Sequence, residues 1–294
     1  GERGVRRIER LHAEWHGAAD GRVTVGVAAW APDMCSPDLL RELRALQERL
    51  GCVATIHLNQ IWGEVAAVRG ARGGLLPTEY LREVGFLNDR LIAAHCRCMA
   101  PHEERTLGDA RAAVAFNSAI AARRGLSPRI ADLEAAGCTI ALGSDNMSED
   151  MVEVIRTGLF MERVRRRDGR NPTPEEALRW ATVNGYRAMG IPDGGSLEVG
   201  KRADLIVVDL RRAHLVPHVR VASTFVHQGQ ASDVEAVMVD GRWLMRDGRV
   251  LTIDEGATVA EAQRIARRAW SRLFAGRPDL TPPPGFDLEP PGMV

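Results

Sequence analysis

Three residues that could bind a metal ion follow short apolar runs of the chain. His57 lies near the end of the run CVATIHL, His95 lies near the end of LIAAHC, and Asp145 comes directly after TIALGS. Histidine nitrogen and aspartate oxygen together suit Zn²⁺ or Fe²⁺. The three residues therefore point to a metal-binding site.

Each of these residues also has an ordinary structural interpretation. A histidine such as His57 at a strand end is more often hydrogen-bonded to its neighbours than bound to metal, and an aspartate after Gly-Ser often forms a turn or caps a helix. Recurrence in successive segments favours metal binding, because the carboxyl ends of the strands of a (β/α) barrel converge. One histidine nitrogen and one aspartate oxygen are too few ligands for a tight site, so others must come from elsewhere.

The apolar runs that carry these residues alternate with helical patterns. The five runs are VTVGVAAW, CVATIHL, LIAAHC, AAVAFN and TIALGS, at residues 23–30, 52–58, 91–96, 112–117 and 139–144. This alternation predicts βα units and a parallel sheet, and hence an α/β fold.

Helix start and stop signals lie between and after the runs. Ser36 followed by Pro37 predicts a helix after the first run, and helical patterns cover 77–87 and 127–137, the second ending at Gly137. Thr173, with Pro174 and Glu176 after it, has the spacing of a capping box and predicts another helix start.

The character of the sequence changes near residue 194. The segment ADLIVVDL predicts one strand, and VEAVMVDGRWLMRDGRVL predicts two or three more, separated by Asp-Gly turns. A helical pattern returns at 258–275, and the tail is rich in proline. The sequence predicts an α/β domain over 1–193, a β-rich portion over 194–257, and a C-terminal helix with a proline-rich tail over 258–294.

Composition restricts the classes of partner. The 294 residues contain 39 basic and 39 acidic side chains and are 45% hydrophobic. No positive field favours nucleic acid or an anionic membrane, and no apolar stretch approaches the roughly 20 residues that span a bilayer. We therefore expect a small-molecule partner, no nucleic acid and no membrane.

The cysteines favour a reducing compartment. Five cysteines are an odd and sparse set, which argues against a disulfide framework. The segment HCRCMAPH has the spacing C-x-C, whereas structural zinc sites usually have C-x-x-C and need a second pair elsewhere, so a zinc knuckle is disfavoured. We expect a cytoplasmic protein.

Five segments resemble the metal-dependent amidohydrolase superfamily. They are IHLNQ, LIAAHC, LGSDN, ATVNG and GSLEVGKRADLIVVD. Within the superfamily the chain is similar to the branch of cytosine, guanine and adenosylhomocysteine deaminases and triazine chlorohydrolases, over about residues 20–250. The resemblance implies a (β/α)8 TIM-type barrel with a small β-sandwich, often in a homo-oligomer. It implies hydrolysis of a C–N or C–halogen bond of a nitrogen heterocycle by a metal-activated water.

The resemblance also implies roles for individual residues. His57 would be a metal ligand on the fifth barrel strand, and Asp145 would be both ligand and proton acceptor on the eighth. His95, on the sixth strand, would bind the metal or polarise a substituent of the attacked carbon. The metal would be one Zn²⁺, with Fe²⁺ as the alternative.

Three residues near these positions are candidates for substrate contact. Trp62 and Phe116 could line a substrate pocket, and Asn117, after the fourth run, could contact substrate. For both aromatic residues a role in the core is the simpler interpretation, because large aromatic side chains are mostly buried.

Two departures from the family pattern concern the start of the barrel. The family begins with a His-x-His pair on its first strand, and this sequence contains no such pair. Five βα units precede the β-rich portion, whereas a closed barrel needs eight. The first residue is Gly1 and the first methionine is Met34. We therefore expect about strands 4 to 8 of the barrel and the C-terminal part of the sandwich, completed by an upstream segment or a complementary chain.

A third departure is Gln60, where the family has the glutamate of H-x-x-E. Glutamine can hydrogen-bond a heterocycle but cannot transfer a proton. Glu64, four residues later, could substitute if the segment is helical. Gln60 also supports an alternative function, that of a non-catalytic homologue or subunit which keeps the fold for binding or assembly.

The single lysine of the sequence bears on the number of metal ions. Two-metal members of the superfamily usually bridge their metals with a carboxylated lysine on the fourth barrel strand. The run VTVGVAAW contains no lysine, and Lys201 lies in the connection to the β-rich portion. The mononuclear branch is therefore the better match.

Overall fold

A five-stranded parallel sheet forms the centre of the N-terminal two thirds of the chain. The computed structural model describes residues 1–284 and residue 286. The strands lie in the sheet in the order in which they occur in the sequence, and each pairs in parallel with the next. They are β1 (Val27–Ala28), β2 (Ala54–Leu58), β3 (Leu91–His95), β4 (Ala113–Phe116) and β5 (Thr139–Leu142).

Helices connect and follow these strands, as an α/β fold requires. They are α1 (Glu2–Trp15), α2 (Ala18–Gly21), α3 (Pro37–Leu50), α4 (Trp62–Ala71), α5 (Pro77–Glu83), α6 (Pro101–Asp109), α7 (Ser118–Arg124), α8 (Ile130–Ala136), α9 (Met151–Arg166), α10 (Pro174–Ala181) and α11 (Val183–Ala188). The core lies between sheet and helices, where strand residues such as Ile56 and Val114 pack with helix residues such as Leu40 and Leu159. The strands are near-continuous apolar runs, which made them recognisable in the sequence, although alternate residues of β2 and β3 are only partly buried or exposed.

The capping predictions are confirmed. The Ser36 side chain accepts a hydrogen bond from the amide of Leu39 at the start of α3. At the start of α10, the Thr173 hydroxyl accepts from the amide of Glu176, whose carboxylate accepts in return from the amide of Thr173. Gly137 follows α8 in the left-handed conformation, as predicted.

Three element boundaries differ from the sequence prediction. The run at 23–30 contributes only two residues to the sheet, Val27 and Ala28, which pair with β2. The helix expected from Ser127 begins at Ile130, with Arg129 rather than serine at the cap position. The helix expected over 77–87 ends at Glu83, since Gly85 has a φ of 73° and breaks the helical path.

A second, antiparallel sheet follows, as the Asp-Gly turns predicted. Its strands are β6 (Leu205–Val208), β7 (Val234–Val239), β8 (Arg242–Arg246) and β9 (Arg249–Val250), in that order, and helix α12 (Val221–Gln228) separates the first two. Two short 3₁₀ turns, Ala213–Leu215 and Ala231–Asp233, flank α12. The connection between the two sheets is polar: the Tyr186 hydroxyl donates a hydrogen bond to the Asp204 carboxylate.

The C-terminal helix α13 (Glu255–Gly276) is slightly longer than predicted, because Asp254 caps it by accepting from the amide of Ala257. In the proline-rich tail, residues 285 and 287–294 lie outside the described part of the chain. In the part that the structure describes, none of the helices combines the length and apolar character that crossing a membrane requires.

Candidate metal centre

The ring of His57 is oriented by the backbone that follows the neighbouring strand. His57 lies on β2, and its Nδ1 is 2.6 Å from the carbonyl oxygen of Trp30. A carbonyl can only accept, so Nδ1 carries the proton and donates it, and the lone pair is on Nε2. Metal-binding histidines typically have this arrangement, in which one nitrogen is held by a carbonyl while the other faces the ion.

His95 and Asp145 lie beside His57 at the carboxyl edge of the sheet. The rings of His57 and His95 stack with centroids 5.4 Å apart. His95 ends β3 and is 5% exposed, and its Nε2 is 3.8 Å from Oδ2 of Asp145, which follows β5. The three residues predicted from separate apolar runs are therefore brought together, because β2, β3 and β5 run in the same direction.

The backbone at this edge is unusual. Asn59, His95, Cys96 and Asp145 all have positive φ, with values of 50°, 80°, 52° and 55°. Non-glycine residues in this region carry strain of about 1 kcal/mol or more, and such residues cluster at functional sites. Asn59 directly follows β2, and His95 and Cys96 lie at the end of β3. Asp145 lies in the turn after β5. The polar side chains converge at these positions.

Asn117 connects two of the three residues. It follows β4, is 8% exposed, and its Nδ2 lies 3.1 Å from Nδ1 of His95 and 3.5 Å from Oδ2 of Asp145. Asp145 also accepts a hydrogen bond from the amide of Asn146 through its other oxygen. The amide of Asn117 is thus engaged by two neighbouring side chains, one of them a buried imidazole.

The donor set fits a metal only as part of a larger ligand set. Across residues 1–284 and 286, no group of three or more His, Cys, Asp or Glu side chains has the spacing of a metal site. The Nε2 of His57 and the carboxylate of Asp145 are suitable donors, since zinc takes imidazole nitrogen and carboxylate oxygen. Two donors leave at least one further protein ligand to be supplied from outside this sheet.

Burial determines the charge of His95. Loss of hydration lowers its pKa to about 4, and the nearby Arg97 guanidinium acts in the same direction, while Asp145 opposes both. The imidazole is therefore neutral at physiological pH. Burial also lowers the pKa of Arg97, which is 8% exposed and donates through Nε to the carbonyl of Gln60.

Glu64 folds back onto the loop between β2 and α4. It lies in the first turn of α4, is 2% exposed, and its two oxygens accept hydrogen bonds from the amides of Asn59 and Gln60. Burial raises its pKa to about 7, although both hydrogen bonds oppose that rise. These contacts indicate that Glu64 stabilises the loop. They do not favour the alternative role expected from the sequence, which was proton transfer.

The structure separates the remaining candidate residues. Gln60 lies in the loop directly after β2, and Trp62 begins α4 with 60% of its surface exposed. Exposure rules out a core role for Trp62 and leaves it available to a ligand. Phe116 is fully buried in the core beside Gly158, which favours packing over substrate contact.

Two residues important to this geometry were missed in the sequence. Arg97 lies inside HCRCMAPH, where only the cysteine spacing was considered. Gly143 precedes Asp145 by two residues, and a Cβ there would lie 2.2 Å from Oδ1 of Asn117. A glycine directly after an apolar run is a signal of close approach, so this second residue was recognisable in principle.

A cavity of about 640 Å³ lies away from the histidines, at the opposite edge of the sheet. It is lined by the first residues of β4 and β5, Ala113 and Thr139, together with charged residues that include Asp109 and Arg111. None of the predicted site residues lines it, so the chemistry predicted from the sequence belongs to the carboxyl edge.

Comparison with known proteins gives relatives for nearly the whole chain. The profile of the amidohydrolase family matches residues 1–244. A 5-methylthioadenosine/S-adenosylhomocysteine deaminase of Moorella thermoacetica is 35% identical over 270 residues, which are 90% of this chain and 61% of that protein. A 5'-deoxyadenosine deaminase of Methanothermobacter thermautotrophicus is 34% identical over 268 residues, 89% of this chain and 62% of that protein. The chain thus spans about three fifths of these relatives.

Solved structures support the same fold. An adenosine deaminase from Xanthomonas campestris with bound zinc superimposes with a TM-score of 0.85 at 26% identity, over 90% of this chain and 61% of that one. An atrazine chlorohydrolase from Arthrobacter aurescens complexed with zinc has a TM-score of 0.79 at 23% identity, over 87% and 58% of the two chains. The second likeness concerns the fold alone. The parallel sheet is therefore of the TIM-barrel type.

Proposed function

The chain belongs to the amidohydrolase family, and on that premise we propose that it is part of a metal-dependent deaminase that hydrolyses a C–N bond of an adenosine-type heterocycle. One observation carries the proposal: His57, His95 and Asp145, from separate strands, converge at the carboxyl edge of the parallel sheet. The relatives at 34–35% identity are named as deaminases of adenosine derivatives. The C–halogen alternative has weaker support, because the chlorohydrolase likeness is one of fold.

His57 and Asp145 would hold one divalent metal, Zn²⁺ or alternatively Fe²⁺, with further ligands from outside this sheet. Such a metal supplies a water that is acidic enough to attack at neutral pH. Asp145 would take the proton of that water, because its Oδ2 faces the cluster. His95 would donate a hydrogen bond across the same space.

Gln60 would contact the heterocycle through its amide. It cannot deliver a proton to the ring, and Glu64 is already engaged by two backbone amides. Asp145 would therefore carry the proton from the water to the leaving amine. Exposed Trp62, at the start of α4, would cover one face of a purine by stacking.

The proposed organisation follows the relatives. Residues 1–193 would contribute about strands 4 to 8 of an eight-stranded barrel, residues 194–257 part of a β-sandwich, and 258–294 a terminal helix and tail. The active protein would be a homo-oligomer with a small-molecule substrate, and light scattering on the purified protein would measure its mass.

A deamination assay tests the proposed function. Ammonia release is measured from adenosine, 5'-deoxyadenosine, 5-methylthioadenosine and S-adenosylhomocysteine, in the protein and in Asp145→Asn. We expect turnover of at least one nucleoside and a loss of about 10³-fold in the variant. Turnover that survives unchanged in Asp145→Asn would contradict the role of this carboxylate.

A second candidate function rests on Gln60. A family member without a proton-transferring glutamate at this position could be a non-catalytic homologue or subunit that keeps the fold for binding or assembly. Binding of a nucleoside in calorimetry, with no ammonia released, would favour that candidate over the deaminase.

A further inference from the structure

We propose that Asn117 is a positioning residue: its side-chain amide, seated against Gly143, fixes the proton of His95 on Nε2 and aligns His95 with Asp145. The catalytic meaning of this arrangement rests on the proposed function. The arrangement itself rests on contacts within this chain, so it can be tested without substrate.

The two contacts of the amide nitrogen define the first step. The Nδ2 of Asn117 is 3.1 Å from Nδ1 of His95 and 3.5 Å from Oδ2 of Asp145. An amide nitrogen has two N–H groups, one for each partner. The shorter contact, to the imidazole, lies within the usual range for a hydrogen bond, and the longer one lies at its limit.

The carboxylate determines which end of the amide is the nitrogen. A carboxylate oxygen only accepts, so the amide oxygen in that place would set two acceptors against each other. Both partners are polar, and Asn117 is 8% exposed, so such a mismatch would be costly. The nitrogen therefore faces Asp145 and His95 together.

Gly143 holds the amide from the other side. It follows β5, and a Cβ built on it would be 2.2 Å from Oδ1 of Asn117, far inside any real contact. The amide oxygen thus occupies space that only glycine leaves free, and the plane of the amide is fixed between β4 and β5. This packing limits how far the amide can move, while the contacts with His95 and Asp145 assign its nitrogen and oxygen.

The consequence concerns His95. A neutral imidazole has one proton, and Nδ1 accepts from Asn117, so the proton is on Nε2. That nitrogen points toward Asp145, whose Oδ2 is 3.8 Å away. An Nε2 that carries a proton donates a hydrogen bond and has no lone pair for a metal. Of the two roles open to His95 from the sequence, the geometry favours hydrogen bonding.

Nitrogen NMR of the histidine rings tests the proposal. The protein is labelled with ¹⁵N-histidine, and long-range ¹H–¹⁵N correlations are recorded near neutral pH without metal or substrate, with His95→Ala to assign the signals. We expect His95 in the Nε2–H form. A wild-type spectrum with the proton on Nδ1 would overturn the proposal by itself.

Two variants show whether Asn117 is the cause. In Asn117→Asp the new carboxylate can only accept, so Nδ1 of His95 should become protonated. In Gly143→Ala the amide is displaced, and His95 should become a mixture of the two tautomers. An unchanged Nε2–H signal in both variants, with the other histidine signals still dispersed, would mean that Asn117 does not set the tautomer.

The result is separable from the proposed function. An Nε2–H form that depends on Asn117, in a protein that deaminates nothing, would count against the deaminase alone. If the protein deaminates a nucleoside but the tautomer of His95 is the same in the wild type and in both variants, the result would count against the role of Asn117 alone.

Discussion

The two edges of the parallel sheet differ in how their polar groups are satisfied. At the amino edge, the buried Gln47 side chain donates to Asn88 and to the carbonyl of Arg90, and Asn88 donates back to Gln47. At the carboxyl edge, Nε2 of His57 and Nε2 of His95 have no such close partner among the residues that the structure describes, and the second nitrogen lies 3.8 Å from Asp145. Polar groups that hydrogen-bond to each other stabilise a fold. A polar group that is held in place but still has an atom without a hydrogen bond can interact with a ligand.

The backbone also differs between the two edges. Positive φ occurs at His95 and Asp145 of the carboxyl edge, and at Arg111 of the amino edge. At the amino edge two helices are in close contact: a Cβ on Gly108 of α6 would lie 2.1 Å from the carbonyl oxygen of Ala136 in α8. We therefore expect substitutions at the carboxyl edge to change activity and substitutions at the amino edge to change stability.

The largest expected gain in activity is at the carboxyl edge, in Gln60→Glu. A carboxylate at this place can transfer the proton that glutamine cannot, so kcat/KM for deamination should rise about 100-fold. Thermal stability should change by less than about 0.5 kcal/mol. The matched control is Gln228→Glu, at the exposed end of α12, which should change neither. Equal or lower activity in Gln60→Glu would show that residue 60 does not face the reacting ring.

At the amino edge, Gly108→Ala should destabilise the fold. The added methyl overlaps the backbone of Ala136, and overpacking of this kind costs about 3 kcal/mol. Gly70→Ala in α4 is the matched control, because a Cβ there meets nothing within 4 Å, and it should stabilise by about 0.5–1 kcal/mol. Denaturant unfolding measures both. If Gly108→Ala has the stability of the wild type but has lost activity, the expectation that the amino edge determines stability and the carboxyl edge determines activity would be wrong.

An effect of comparable size is expected from pH, through Glu64. Its pKa is raised to about 7 in the folded protein from an ordinary value of 4.5, so the folded state binds the proton more tightly than the unfolded chain does. Its contribution to stability is therefore complete below pH 4.5 and falls as the pH rises through 7.

The variant Glu64→Gln isolates this contribution, since glutamine does not titrate. The stability of the wild type relative to the variant should fall by on the order of 3 kcal/mol between pH 4.5 and pH 8, measured by denaturant unfolding. A difference that grows with pH would mean that the folded protein stabilises the charged carboxylate.

Much of the fold could be predicted because its signals are local. The strands β2 to β5 are apolar runs, and Ser36 and Thr173 cap helices through residues close to them in sequence. The extent of β1 could not be predicted from the local sequence, because it depends on which residues pair with β2, here Val27 and Ala28.

The convergence of His57, His95 and Asp145 was predictable for a geometric reason, because parallel strands place their carboxyl ends at one edge. The role of Asn117 was not predictable, since the orientation of its amide depends on Gly143 from the next strand. The contacts of Glu64 differ from the proton-transfer role expected from the sequence. Because α4 starts at Trp62, the Glu64 carboxylate lies within hydrogen-bonding distance of two loop amides.

Metal content tests the central claim most directly. Elemental analysis is carried out on the purified protein, on His57→Ala, and on His102→Ala as a control, whose ring is exposed and paired with Glu79 outside the cluster. We predict about one Zn or Fe per chain in the wild type and in the control, and none in His57→Ala. No metal in the wild type, or full metal in His57→Ala, would contradict the assignment of the carboxyl edge as a metal centre.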